Sequence, residues 1–114
     1  MATDTYFPHE RLKVFHKAVE FAGWAHSVRN KLPTAELRKQ LSKAAESVVL
    51  NICEGAGSAG GNKRKHFQIA YGSAAECHGA ATLCKAYGVP RSNEAIELLG
   101  HLRRMLAGVL RACC

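Results

Sequence analysis

Ser47-Val48-Val49-Leu50-Asn51-Ile52-Cys53-Glu54-Gly55, then Ala56-Gly57-Ser58-Ala59-Gly60-Gly61-Asn62, then Lys63-Arg64-Lys65-His66, is the stretch on which the fold turns. Apolar residues recur at helical spacing before the glycines and again after the basic cluster. Four glycines in the seven residues 55–61 raise the entropy of the unfolded chain and permit positive φ. The stretch therefore predicts a helix that stops, a mobile or tightly turned connection, and a second helix opened by three positive charges.

Working outward, the helix that leads into the glycines is predicted over 35–54, with Thr34 as N-cap and Glu36 in its first turn. It carries Leu37, Leu41, Ala44, Ala45, Val48 and Ile52 inward, and Arg38, Lys39 and Lys43 share its opposite side. An earlier helix, predicted over 11–32, shows a near-heptad stripe of Val14, Ala18, Phe21, Ala25, Val28 and Leu32. Phe15, Val19 and Ala22 widen that stripe toward a second neighbour. After the glycines, a helix over 62–87 places Phe67, Ala70, Ala74, Cys77, Ala81 and Cys84 on one face. Its small residues, Gly72, Ser73, Gly79 and Ala80 among them, invite close approach of another helix. Tyr87-Gly88-Val89-Pro90 is a stop signal. Ser92 then caps a helix over 92–112, with Ile96, Leu99, Leu102, Leu106 and Val109 inward. Residues 1–10 lack periodicity and are expected as a flexible arm. With no strand pattern and short connections, the expected fold is all-α, an antiparallel up-down four-helix bundle.

The chain has 114 residues, enough for one domain with a core over 11–114. Hydrophobic residues make up 47%, which argues against disorder. Sixteen Lys+Arg against nine Asp+Glu give a formal charge of +7, suited to nucleic acid first and to an acidic protein or membrane surface second. Five cysteines, without a CxxC pair or a leader-like segment, favour a reduced, cytoplasmic protein over a disulfide framework. No apolar run approaches the ~18–20 residues of a membrane span.

The motifs that suggest chemistry fall short of it. Gly55-Ala56-Gly57-Ser58-Ala59-Gly60 matches GxGxxG, but a dinucleotide site needs a strand before the glycines, and a helix stands there. Lys63-Arg64 lacks the Gly-Lys-Ser/Thr ending of a phosphate loop. A di-iron bundle needs Glu-x-x-His pairs, and no Glu here has His three residues on. Cys77 and Cys84 share a face, with His66 and His78 elsewhere on the helix, and are expected as core filler rather than zinc ligands. Cys113-Cys114 is expected to be exposed and prone to oxidation. The expectation is a protein that is not an enzyme, without catalytic residues, cofactor or metal.

Asn51 and Glu54 are polar residues near the end of an apolar helix, where a carboxylate opposes the macrodipole. Glu54 is therefore expected to accept from a donor at the start of the next helix, such as Arg64, and to clamp the glycine connection. Candidate phosphate contacts are Arg38, Lys39, Lys43, Lys63, Arg64, Lys65, Arg103 and Arg104. Few aromatics stand near them beyond Phe67 and Tyr71, so backbone contact is favoured over base readout.

Three segments together carry a resemblance: Leu12-Lys13-Val14-Phe15-His16-Lys17-Ala18; Ser47 through Asn51-Ile52-Cys53-Glu54-Gly55; and Lys65-His66-Phe67-Gln68-Ile69-Ala70-Tyr71-Gly72-Ser73-Ala74-Ala75-Glu76. The chain resembles the small four-helix-bundle proteins encoded in intervening sequences of bacterial 23S rRNA genes, over nearly its whole length after residue 10. The second segment is similar to that family's Ser-Ile-x-x-Asn-Ile-Ala-Glu-Gly and the third to its Phe-x-x-x-Leu-x-Ile-Ala-x-Gly-Ser-x-x-Glu. The resemblance implies a homopentamer, an association with RNA, and kinship with retroelement accessory proteins that work with a reverse transcriptase. It brings no catalytic residues. The chain departs from the pattern in its longer glycine connection, in Cys53 where Ala is usual, and in an Ala-rich third helix. The functional expectation is a basic oligomeric bundle that binds RNA or a ribonucleoprotein electrostatically. The alternatives are a protein-protein adaptor or an accessory subunit of a reverse transcriptase.

Overall fold

The computed structural model describes residues 6–113. Four helices carry the chain: α1 Lys13–Val28, α2 Ala35–Ala56, α3 Gly60–Ala86 and α4 Ser92–Ala112. Short 3-10 turns at Pro8–Arg11 and Arg29–Lys31 flank α1, and no strand occurs among the described residues. Contacts run α1 to α2, α2 to α3, α3 to α4 and α4 back to α1, with α2 and α3 the most extensive pair. They enclose a single core in a molecule of 51 × 31 × 22 Å.

Every residue of the three stripes predicted for α1, α2 and α3 is buried, and they meet in that core. In α4, Leu99, Leu102 and Leu106 are buried, while Ile96 and Val109 are half-buried at its edge. Ala95 and Leu98, outside the predicted stripe, are buried as well. Val19 departs from its expectation: it is 45% exposed, because α1 reaches α2 and α4 without turning that side inward.

The connection between α2 and α3 is shorter than the glycine count predicts. Gly55 and Ala56 remain in α2, and Gly60, Gly61 and Asn62 already belong to α3, which leaves Gly57-Ser58-Ala59 as the turn. Three bonds tie it down: Gly57 N–H to Cys53 O at 3.1 Å, Ser58 N–H to Gly55 O at 3.2 Å, and Ser58 Oγ to Glu54 O at 2.7 Å. The helical cost of glycine, ~1 kcal/mol each, is outweighed here by tertiary packing.

Other boundaries follow from capping. Thr34 accepts from the Leu37 N–H at 3.0 Å and starts α2 as expected. Gly88, at φ +77°, ends α3: its N–H reaches Lys85 O and the Val89 N–H reaches Cys84 O at 2.9 Å, with Val89 buried behind it. Ser92 is not the cap of α4. Arg91, in the left-handed region at φ 59°, takes that place, and buried Ser92 turns its hydroxyl back to Val89 O at 2.7 Å. This corner is pinned to α1, where the Trp24 indole donates to Pro90 O at 3.0 Å and Arg91 donates to Ser27 Oγ at 2.8 Å.

The predicted N-terminal arm is folded in part, since Pro8–Arg11 forms a 3-10 turn that packs on α1 and α2. Residues 1–5 of that arm lie outside the described residues.

Candidate nucleic-acid interface

The α2–α3 seam is where the sequence motifs meet. Asn51 donates from Nδ2 to the Ser47 carbonyl at 2.9 Å and to Ser47 Oγ at 3.1 Å. That fixes the amide orientation, so Asn51 Oδ1 accepts from the Nδ1–H of His66 on α3 at 3.0 Å. Ser47 Oγ continues to Ser73 Oγ at 2.7 Å. One chain of hydrogen bonds thus joins the two helices through Ser73, Ser47, Asn51 and His66. Asn51 and Ser73 were legible as motif residues. Ser47 and His66 were present in the quoted segments, but no periodicity marks them as partners.

The small residues do not all serve this seam. Ser73, Ala74, Ala80 and Ala81 are buried, whereas Gly72 and Gly79 are exposed with open space where a Cβ would stand. Gly55, by contrast, is buried against the Phe67 ring.

The expected Glu54–Arg64 clamp is absent. Arg64 instead donates from Nη1 to Leu110 O at 2.7 Å, tying α3 to the end of α4. Glu54 stands exposed, with its carboxylate unengaged by any described residue, and only its backbone carbonyl is used, by Ser58.

The eight candidate phosphate contacts divide by how they are held. Arg38 is half-buried and donates to Leu32 O at 2.9 Å, so it serves the α1–α2 connection. Arg64 is likewise engaged within the chain. Arg104 reaches His101 Nδ1 at 3.4 Å. Lys39, Lys43, Lys65 and Arg103 are exposed, and Lys63 is half-buried; none of these five side chains has a described partner. They lie on α2, α3 and α4.

Among the described residues the cysteines bear no sign of a reactive site. Burial pushes the Cys77 thiol up to about 12 and raises those of Cys84 and Cys53. Cys77 and Cys84 are core residues. Cys113 is half-buried against the core rather than exposed, and Cys114 lies outside the described residues. No three His, Cys, Asp or Glu side chains among the described residues are grouped to hold a metal ion. No helix among them is long and apolar enough to cross a membrane.

Exposed aromatics escaped the sequence reading. Tyr6 and Phe7 are 63% and 67% exposed, with Arg11 over the Tyr6 ring at 5.7 Å. The signal was available as Tyr6-Phe7-Pro8-His9-Glu10-Arg11, aromatic and basic residues interleaved.

A family model described as 23S rRNA-intervening sequence protein matches residues 10–109. No curated protein matches the chain.

Proposed function

The chain belongs to the family of 23S rRNA-intervening sequence proteins, and from that premise we propose that it is a non-enzymatic, basic bundle that binds RNA through its phosphates. In this reading the helices run antiparallel in up-down order, copies of the chain assemble, as a pentamer, and the protein works in the cytoplasm. The observation that carries it is the state of the excess charge. Lys39, Lys43, Lys65 and Arg103 are exposed and make no bond to any described residue, so their charge is available to replace the counterions of a phosphate backbone. Five partnerless cations scattered over three helices make a weak site in one copy. Repeated around an axis, the same contacts add as avidity.

Assembly is supported by apolar side chains left in solvent on α2, on α3 and at its C-cap: Leu50 at 62%, Leu83 at 45% and Tyr87 at 55% exposed. The same exposed cations favour a second reading, an adaptor that docks an acidic protein. The deciding experiment is solution mass by light scattering, with and without a mixed RNA ladder at low and moderate salt. The expected outcome is a pentamer that shifts RNA at low salt and releases it at moderate salt. A pentamer indifferent to RNA at both salts leaves the adaptor, and a monomer removes the assembly.

A further inference from the structure

Phe7 is exposed but firmly held. Its N–H donates to the Glu10 carboxylate at 3.4 Å and its carbonyl accepts from the Glu10 N–H at 3.1 Å. Its ring stacks on His9 at 5.7 Å and 15°, His9 packs on Phe15 at 4.7 Å, and Phe15 meets His16 edge-on at 5.2 Å. His16 in turn donates from Nε2 to Glu10 O at 2.8 Å. A row of four rings, its Phe7 backbone and its His16 ring both bonded to Glu10, therefore carries the exposed Phe7 ring at its end.

Beside that ring lies a groove of about 430 Å³, bounded by Phe7 and His9 on one side and Leu50, Cys53, Glu54 and Ser58 on the other. Its volume leaves ample room for a flat ring the size of a nucleobase. Glu54 lines the groove with its carboxylate unengaged by any described residue, and it sits at the C-terminal end of α2, where the macrodipole makes an unpaired carboxylate unfavourable. A neutral N–H donor edge answers that need, and a phosphate does not. Lys13, two residues before Phe15 of that row, is exposed and available to a strand's phosphates.

We propose that this groove takes an unpaired RNA base, stacked on Phe7, with Glu54 accepting from its edge. Guanine is the preferred base, because its N1–H and N2–H₂ offer a carboxylate two parallel donors. This rests on the RNA-binding reading above and adds to it a preference for single strands.

The test uses the full chain and fluorescence anisotropy at low salt, with labelled strands of about 12 nucleotides. The probes are oligouridine, oligouridine with one central guanine, and a duplex of equal length. Phe7→Ala should weaken both single strands by about 5- to 150-fold and leave duplex binding within about twofold, while Phe7→Trp retains the wild-type pattern. Glu54→Gln should erase the advantage of the guanine strand without touching the plain strand. Equal effects of Phe7→Ala on strand and duplex, or none on either, overturn the site while leaving phosphate binding intact. Absence of binding to all three probes overturns both readings. A fall in solution mass with Phe7→Ala, at unchanged circular dichroism, assigns the ring to a contact between copies and overturns the site as well.

Discussion

A Cβ placed on Gly55 would stand 2.8 Å from both Cδ2 and Cε2 of Phe67. Gly55 is thus a buried residue of α2 on which a ring from α3 rests, and not the end of a helix. In an open helix, Gly55→Ala would stabilise by ~1 kcal/mol. Here the Phe67 ring is 1% exposed and has nowhere to retreat, so overpacking costs ~1–3 kcal/mol. The expected result is a net loss of about 1 kcal/mol by urea denaturation, smaller in a Phe67→Leu background where the ring is gone. A Gly55→Ala protein more stable than the wild type would show that the two helices part without cost.

The hydrogen-bond chain across the seam predicts coupling between residues 15 apart in sequence. Asn51→Ala strips His66 Nδ1 of its acceptor and Ser47 of its donor, at a cost of ~1–3 kcal/mol. His66→Ala removes the same bond from the other side. In a double-mutant cycle the two should be non-additive by at least ~0.5 kcal/mol. Additive effects would mean the bond contributes nothing measurable.

Burial of the thiols predicts a weakness at alkaline pH. Cys77 is pushed from 9.0 up to about 12 in the folded chain, while the unfolded thiol ionises near 9.0. A raised folded value means the folded state holds the proton longer. Its stabilising effect is therefore complete below pH 9 and declines as pH rises from 9 toward 12. The slope is up to ~1.4 kcal/mol per pH unit for this thiol. Thermal denaturation between pH 8 and 10 should show the decline, reduced in Cys77→Ala. Identical slopes in the two proteins would place the effect elsewhere.

The core was legible because burial writes itself into spacing. Leu41, Val48 and Ile52, or Phe67, Ala70 and Cys77, stand where a helical period puts them, and all are buried. What escaped the sequence depends on shape across helices. Gly55 and Gly60 carry the same letter; one is required by a ring from another helix, the other by its own backbone at φ +59° in open space. Arg64 and Lys65 are neighbours of equal charge, and only the fold sends the first to Leu110. Ser92 looks like a cap by residue type, but Arg91 occupies the cap because the preceding turn enters α4 through a left-handed residue. The row of rings that ends at Phe7 needed Phe15 and His16, eight and nine residues on, to be in place.

Arg64 and Lys65 also separate structure from binding. Arg64 gives a charged donor to Leu110 O at 2.7 Å, at the C-terminal end of α4, where a cation is favoured by the exposed carbonyls. Arg64→Gln should therefore cost ~1.5–3 kcal/mol in urea denaturation, the range for a hydrogen bond to a charged group. Lys65 is exposed and has no partner among the described residues, so Lys65→Gln should leave stability within ~0.5 kcal/mol. RNA affinity should respond in the opposite order. Lys65→Gln lowers it at low salt and flattens the dependence of log K on log salt, because one fewer counterion is released per copy. Arg64→Gln changes that slope less, since its guanidinium is already committed to a carbonyl. If the two variants alter the slope equally, the distinction between held and free cations fails, and the net charge alone governs binding.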